Sequence, residues 1–570
     1  MTKRWSIGIA VLVAAALALR ASALDFGLPA VYNPDEIAIM SRALAFAKGD
    51  LNPHNFLYPT FFFYALFAWI GGYFVLARIT GNVASLSALQ QRFFIDPSGI
   101  YLAGRALGAV SGALCTGVTA VIGRTLFDMP TGLVAATLLA VAPLAVIDSH
   151  YVKHDVAATL AIIVAVWRLS RCWPEGGAGA RVPTFDLVLA SMACGVAWSI
   201  HYYCVFLAVP LALTALDATR TDRWPVTAKT MARCFLTAAG VFFMLSPFLL
   251  AEPATAWRDI VANRQIVVDR ATDHGLFANF VRYLTLLVDG LTLPVVALGA
   301  IGAVKLVATD RRRALLLFSF PVPFLLFISN TVPASRYLNP VAPFVVLLAA
   351  LAIRDIAAAL ASRHRVWVMA VLTLLAGRAA LVDSLNAVAF FAQDDTRTLA
   401  TRLIHGLAPD GATVLIQPYS VQLAQSRESL EESLRARLGS LERLPTRARL
   451  RLAVAPWPRP SYRLLWLGTG GLDEDKIYLS YEELGGDPLA TLRSWRVGYV
   501  VLKRYDVADP AVAPLAEALA RGARRLGSIS PYREDGTSVA AVAPFLHNTD
   551  SIIDPRLARP GPIVDVFEIP

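Results

Sequence analysis

The chain has 570 residues, of which 56% are hydrophobic and 16% charged, and its mean hydropathy is +0.55. Soluble globular chains are roughly half apolar and a quarter charged, so a wholly soluble protein is excluded. The net charge of +10 does not indicate a nucleic-acid partner, because the basic residues lie mostly in short loops between apolar segments. The five cysteines show no Cys-x-x-Cys spacing and predict neither a disulfide framework nor a zinc site.

Apolar runs follow one another up to about Asp383, and runs of about 17 to 25 residues can cross ~30 Å of hydrocarbon as helices. Beyond Asp383 the composition becomes ordinary and charged. The sequence therefore predicts a polytopic α-helical membrane protein, with a module over residues 1–383 and a soluble α/β domain over 384–570. We expect about eleven transmembrane helices plus juxtamembrane helices, and a layer of four or five strands in the tail. Arg20, inside the first apolar run, favours an uncleaved helix over a signal peptide.

The apolar segment Pro59–Ile79 decides the topology. If it stays on the side where Asp35 emerges, the short basic loops fall on the opposite face, as the positive-inside bias requires. Asp155 then emerges beside Asp35, and the tail lies outside the cytoplasm. We therefore expect Pro59–Ile79 to be partly inserted without crossing. The Ala- and Arg-rich composition favours a bacterial protein, and hence the inner membrane.

Two acidic points stand next to apolar segments. The first is the run N-P-D-E at 33–36, which is typical of a helix start because Asn caps, Pro suits the first turn, and acids favour the positive end of the helix dipole. The residues that follow predict an amphipathic helix on the membrane surface. The second is H-Y-V-K-H-D at 150–155. The alternative for Asp35 and Glu36 is that they only begin a helix.

A partly desolvated carboxylate can act as a general base toward an alcohol or amine, and a phosphate leaving group requires cationic hydrogen-bond donors. The pattern predicts transfer of a group from a phosphate-bearing donor, held at the membrane, to a nucleophile, without specifying the group. For single arginines the alternative is snorkelling at the interface. The candidates are Asp35, Glu36 and Asp155 for catalysis; Arg105, Lys153, His201, Arg336 and Tyr337 for the donor phosphate; and His54, Tyr58, His150 and His154 for the substrate pocket.

Five runs carry a resemblance that covers approximately Trp5–Asp383. In order they are N-P-D-E, H-N-F-L-Y-P-T, Y-L-A-G-R-A-L-G-A, H-Y-V-K-H-D and S-R-Y-L-N-P-V-A-P-F. This ordered set resembles the membrane glycosyltransferases of the GT-C fold, namely the protein O-mannosyltransferases and the bacterial aminoarabinose transferase that modifies lipid A.

The resemblance implies a polyprenyl-phosphate-linked sugar as donor, contact with membrane lipid, and a protein, lipid or glycan as acceptor. It also implies inversion at the anomeric carbon on the extracytoplasmic face. By position it matches Asp35 to the catalytic acid, Asp155 to the second-loop acid, Arg105 to the Arg that opens the next helix, and Arg336–Tyr337 to the pair near the donor phosphate. Two departures concern the sugar and the phosphate contacts. Ala38 stands where the aminoarabinose transferase has Arg, and His201 stands where some relatives carry Lys.

Two other functions remain open from the sequence. A transporter or lipid flippase would carry ionisable groups near the middle of the membrane, where only Asp289 falls. A non-catalytic envelope assembly protein would use its tail to bind a partner. No cofactor is certain, and the sequence leaves open whether a divalent metal takes part.

Overall fold

The structure is a computed structural model that describes residues 3–173, 182–267, 275–470, 473–505, 509–533, 542–548 and 552–570. Helices make up the first two-thirds of the chain, and a mixed sheet with flanking helices makes up the rest. The predicted fold class, a polytopic helical membrane protein with a C-terminal α/β domain, is confirmed.

The helices of the membrane module connect through short loops and three-residue to six-residue 3₁₀ turns at Phe46–Lys48, Tyr202–Leu207, Ser335–Leu338 and Ser362–His364. In chain order they are α1 (Lys3–Ala21), α2 (Pro34–Ala45), α3 (Phe61–Ile79), α4 (Leu86–Ile95), α5 (Ser98–Leu126), α6 (Met129–Ala140), α7 (Pro143–Asp148), α8 (His154–Arg171), α9 (Thr184–Trp198), α10 (Ala208–Ala218), α11 (Trp224–Leu245), α12 (Phe248–Ala251), α13 (Pro253–Val267), α14 (Leu276–Leu291), α15 (Leu293–Thr309), α16 (Arg311–Phe318), α17 (Pro321–Ile328), α18 (Ala342–Leu360) and α19 (Arg365–Phe391).

Several of these helices are long and apolar enough to cross a membrane. Over the described residues there are five, or six if the bent pair α14 and α15 forms one span, its two parts meeting at 116°. The five are α3, α5, α11, α18 and the stretch Ser362–Leu407, which contains α19. Shorter apolar helices include α6, α9 and most of α1. The expected total of about eleven crossings counts such shorter helices as well.

Helix α5 lies at the centre of the module and packs against α1, α3, α6 and α8. Small residues let the backbones approach, as is common between membrane helices. A Cβ atom at Gly132 of α6 would clash with the carbonyl oxygen of Ala120 in α5, and one at Gly108 would lie 2.8 Å from the carbonyl oxygens of Ser149 and Tyr151. Close packing therefore holds the loop between α7 and α8, which we call the second loop, directly against α5.

The C-terminal domain is a six-stranded sheet in the described residues, one or two strands more than expected. Its strands are β1 (Thr413–Ile416), β2 (Arg463–Leu467), β3 (Ile477–Leu479), β4 (Tyr499–Arg504), β5 (Arg524–Ile529) and β6 (Ile563–Glu568), and its helices are α20 (Thr396–Leu407), α21 (Arg427–Leu438), α22 (Thr446–Leu452), α23 (Pro488–Ser494) and α24 (Ala513–Gly522). The order is β3-β2-β1-β4-β6-β5; β3, β2, β1 and β4 are parallel, and β6 is antiparallel to both neighbours.

The division expected at residue 383 falls inside α19. This helix continues to Phe391, and Phe390 and Phe391 pack on Phe545, with ring centroids 5.6 and 5.7 Å away. The last turns of α19 are thus covered by the C-terminal chain, and α20 begins five residues later.

The direction of helix α3 bears on the expectation that this segment does not cross the membrane. Trp69 donates to the carbonyl of Ala103 at 2.8 Å, and Gly99 lies against the hydroxyl of Tyr73. Because α3 is thus antiparallel to α5, it runs toward the start of α5. It then leads into α4, which contacts α22 of the C-terminal domain. We call the face that carries Asp35 and the C-terminal domain the site face. That α3 does not cross stays a prediction, since its length and apolar composition are also those of a membrane span.

Labelling of introduced cysteines should test this topology. The native cysteines in the described residues are buried, so a membrane-impermeant maleimide should label only new ones. Cysteines at Asp50 and Asn82, on either side of α3, should react from the same face, and one at Arg220 only from the other. Reaction of positions 50 and 82 from opposite faces would show that α3 crosses.

Candidate active site

Asp35 is held at the start of α2 by the cap that the sequence predicts. The side-chain oxygen of Asn33 accepts from the N–H of Asp35 at 2.9 Å, and Pro34 occupies the first turn. The face of α2 that carries Glu36, Met40 and Ala43 is buried against the module, and Asp35 lies at the edge of that face. Asp35 therefore faces outward, with 47% of its side chain exposed, and its carboxylate lies 3.4 Å from Lys153 Nζ.

Glu36, the neighbouring carboxylate, is wholly buried and paired with Arg105 of α5. Arg105 donates from Nε and Nη2 to the two oxygens of Glu36, both at 2.9 Å, and from Nη1 to the carbonyls of Leu24 and Phe26 at 2.7 and 2.8 Å. The N–H of Val152 also donates to Glu36, at 3.0 Å. Both side chains have zero exposure, so neither reaches a pocket from its position in this structure.

Asp155 stands in the first turn of α8 and is 7% exposed. It lies close enough to Asp35 and Arg336 to interact with both electrostatically. Burial lowers the pKa of Arg336, but Tyr337, Asp155 and Asp35 outweigh that effect and raise it, so the guanidinium remains cationic. The two acidic points that the sequence places on different loops thus lie in one charged cluster with Lys153 and Arg336.

The turn that carries Arg336 and Tyr337 is held in place by hydrogen bonds from Asn339. The side-chain amide of Asn339 donates to the buried carboxylate of Asp148 at the end of α7, and to the carbonyl of Arg336 at 3.1 Å. Arg336 also lies over the Tyr337 ring, 5.2 Å from its centroid. Asp148 and Asn339 were not predicted as site residues, although Asn339 belongs to the S-R-Y-L-N-P run.

An aromatic wall closes one side of the cluster. The Tyr58 ring stacks on His154 with centroids 4.3 Å apart and meets His201 edge-on at 5.1 Å. Phe62 and Phe63 surround the other side of His154. Burial raises the pKa of Tyr58, and the charge of Asp155 raises it further, which places the tyrosine beside the carboxylate. Burial also lowers the pKa of His201.

Two predicted pocket residues lie elsewhere. The ring of His150 is buried, with its nitrogens 2.8 and 2.9 Å from the carbonyls of Val146 and Ser22. His54 is 60% exposed and bridges Asp50 and Glu252 at 2.9 and 3.0 Å. Neither contacts the cluster, because backbone carbonyls hold the first and surface carboxylates hold the second.

Arg42 of α2 is a further cation of the site that the sequence reading missed. It lies over the Phe63 ring at 6.0 Å and close enough to Tyr58 and His154 to affect their charge. It forms no ion pair with any described residue. Its position in the sequence could have indicated it. Arg42 follows Asp35 by seven residues, which places both on the same helix face two turns apart, and it lies one turn beyond Ala38.

An apolar cavity of about 450 Å³ opens into the membrane module beside this cluster. It begins at Phe62, which contacts His154, and at Ile200, next to His201. Its remaining walls come from α3, α5, α8 and α9, including Leu107, Ala161 and Val196. The residues that line it are apolar apart from Ser111, and the His154 ring, which contacts both Phe62 and Tyr58, connects this space to the charged cluster.

In the parts of the chain that the structure describes, no three His, Cys, Asp or Glu side chains form a group that could hold a metal ion.

Comparison with solved structures places this architecture. ArnT from Cupriavidus metallidurans bound to undecaprenyl phosphate superposes with a TM-score of 0.50 at 14% identity, over 99% of this chain and 98% of that one. The chain has the GT-C fold. The apo form of the same ArnT gives 0.48 at 15% identity over 91% and 96%, and the oligosaccharyltransferase of Archaeoglobus fulgidus, in its complex with zinc and sulfate, gives 0.48 at 12% over 87% and 68%. No protein-family model matches the sequence, and a search of curated proteins found no match.

Removing one partner of the Glu36–Arg105 pair should destabilise the whole module. Arg105→Met leaves Glu36 charged and buried, which costs roughly 3–5 kcal/mol, so the melting temperature in detergent should fall clearly. Arg402→Met, which breaks an exposed pair with Asp394, is the control and should change stability by at most ~1 kcal/mol. Equal melting temperatures for the two variants would contradict the structural role of Arg105.

Proposed function

We propose that the protein is an inverting glycosyltransferase that moves a sugar from a polyprenyl-phosphate donor to an acceptor nucleophile on the site face. The observation that carries this proposal is the meeting of Asp35, Asp155, Lys153 and Arg336 in one cluster, with an apolar cavity on the far side of the His154 ring. A lipid-linked donor is complementary to these two parts of the site, because it joins an anionic headgroup to a long hydrocarbon chain.

The chemistry uses the exposed carboxylate as base. Asp35 takes the proton from the acceptor O–H or N–H while that atom attacks the anomeric carbon. The bond from that carbon to the phosphate oxygen breaks, and its electron pair leaves with the phosphate, so the configuration at the carbon inverts. Arg336 and Arg42 stabilise the charge that grows on the phosphate, and Asp155 orients the reacting groups beside Tyr58.

Lys153 links the two parts of this mechanism. In this structure it contacts Asp35 at 3.4 Å and lies over the Tyr151 ring at 5.1 Å. It can therefore hold the Asp35 carboxylate in place until the donor phosphate competes for the ammonium. Glu36 and Arg105, which the sequence assigned to catalysis and phosphate binding, take a positioning role in this proposal because they saturate one another.

The cavity lined by Phe62, Leu107 and Ile200 would hold the first prenyl units of the donor. Its walls carry the hydrocarbon contacts that such a chain needs, and only the His154 and Tyr58 rings lie between it and the cluster where the phosphate would bind. The shared fold with ArnT, solved with undecaprenyl phosphate bound, supports this assignment of the lipid.

The site face would be the extracytoplasmic face of a bacterial inner membrane. Basic residues follow α10 and α15 at the ends of these helices away from the site face. They are Arg220 and Arg223 after α10, and Arg311–Arg313 at the start of α16. This agrees with the positive-inside bias. The C-terminal domain would then stand over the active site outside the cytoplasm, where acceptors of the cell envelope are found.

Complementation of a deletion strain tests the assignment. Because loss of a general base costs on the order of 10²- to 10⁴-fold, Asp35→Asn and Asp155→Asn should both fail to restore the missing sugar in mass spectra of envelope lipids and glycans. Asp50→Asn should restore it, because Asp50 is an exposed carboxylate outside the cluster. It lies in the segment between α1 and α3, which we call the first loop.

Full restoration by both site variants would refute the site. Transport of a labelled lipid or sugar across proteoliposomes, with no covalent product, would instead indicate the transporter or flippase alternative.

A further inference from the structure

His547 of the C-terminal segment is buried to 2% exposure and contacts both acidic loops of the membrane module. Its backbone is in the left-handed region, with φ +65°. A histidine adopts this conformation at a cost, so the surroundings hold it there. Three separate contacts account for this.

The first contact reaches the cap of α2. The side-chain amide of Asn33 donates to the carbonyl of His547 at 2.8 Å, while its oxygen accepts from the N–H of Asp35. One fully buried amide thus bridges the C-terminal segment and the backbone of the proposed base.

The second contact reaches the buried ion pair. The His547 ring stacks on Phe26 with centroids 4.7 Å apart and planes 15° from parallel. Arg105 lies over the same Phe26 ring at 3.7 Å. His547, Phe26 and Arg105 therefore form a continuous stack that ends on Glu36, next to Asp35.

The third contact reaches the second loop. The Tyr151 hydroxyl lies 3.0 Å from Nδ1 of His547, and the face of the Tyr151 ring lies under Lys153. Asp155 follows two residues after Lys153. Asp35 and the loop that carries Asp155 are consequently both positioned by His547, the first through its backbone carbonyl and the second through its imidazole.

The C-terminal domain fixes His547 from its other side. Asp395, which caps α20, lies 3.7 Å from Nε2 of His547 and forms a bidentate pair with Arg397 at 2.7 and 2.8 Å. Arg397 in turn lies over the Tyr32 ring at 3.9 Å. The position of His547 therefore depends on the docking of the whole domain against the first loop.

We propose that His547 is a positioning residue, through which the docked C-terminal domain sets the distance between Asp35 and the Lys153–Asp155 loop. This deepens the proposed function and rests on it. The membrane module holds the reacting side chains and joins their loops through the Glu36–Arg105 pair, and the C-terminal segment adds a second constraint on their relative geometry. An ångström-scale shift of reacting groups costs up to ~10²-fold in rate, so loss of this contact should lower kcat and leave donor KM nearly unchanged.

The test compares full-length variants in detergent. His547→Ala removes the ring contacts, and Asn33→Asp keeps the cap on the Asp35 N–H but cannot donate to the His547 carbonyl. His547→Asn is the conservative variant, because asparagine tolerates the left-handed region. Leu492→Ala, a fully buried change in the apolar cluster that α23 and α24 form on the sheet, controls for general destabilisation of the domain.

Two readouts are measured on each variant. Hydrogen exchange of peptides covering α2 should speed up in His547→Ala and Asn33→Asp, and stay at the wild-type rate in Leu492→Ala. With the donor that the envelope spectra identify, kcat should fall on the order of 10- to 100-fold in the first two variants, recover partly in His547→Asn, and remain near wild type in Leu492→Ala.

The outcomes separate the two proposals. Faster exchange in α2 in a protein whose wild type transfers no sugar supports the positioning contact and overturns the proposed function. A wild type that transfers sugar, with kcat in His547→Ala no lower than in Leu492→Ala, overturns the positioning role. Unchanged exchange in α2 overturns it as well.

Discussion

The buried pair of Glu36 and Arg105 is the constraint on which the site depends. Two charges removed from water are stable only when good geometry and additional hydrogen bonds offset the desolvation. Here the pairing is bidentate, and the remaining capacity is taken by carbonyls of the first loop and by the N–H of Val152. The pair therefore joins the first loop, α5 and the second loop at one point, and the separation of these segments is no longer free.

Helix geometry gives the adjacent carboxylates Asp35 and Glu36 different environments. Successive residues of an α-helix point about 100° apart, so when α2 buries Glu36 it turns Asp35 toward solvent. The Asn33 cap and Pro34 fix where that helix begins, and hence which of the two acids faces the cluster. A start one residue later would put Glu36 in the place of Asp35 and Ile37 in the buried place of Glu36. The same geometry places Arg42 two turns beyond Asp35 on the outward stripe, where a lipid phosphate could reach it.

Features that depend on local sequence were predictable. The cap of α2 and its amphipathic face followed from residue types and helix periodicity. Tertiary partners were not. Arg105 was read as a phosphate ligand because an arginine near a helix start has the same local pattern whether it binds substrate or a buried Glu36. His150 has a similar ambiguity, which only the nearby backbone carbonyls resolve.

The C-terminal domain marks the limit of prediction most clearly. Nothing around His547 distinguishes it from a surface loop, and its partners lie about 400 to 500 positions earlier in the chain. Its contacts arise from the docking of a sheet whose strand count was itself underestimated. Because those contacts end on Asn33, Phe26 and Tyr151, the domain is part of the site's architecture rather than an appended module.

A structure of the full-length protein with undecaprenyl phosphate, determined by cryo-electron microscopy, would locate the donor site. We expect the phosphate between Arg336, Lys153 and Arg42, within reach of the space next to Asp35 and Asp155, and the first prenyl units in the cavity between Phe62 and Ile200. A lipid phosphate bound away from both carboxylates, or on the opposite face of the membrane, would contradict this expectation.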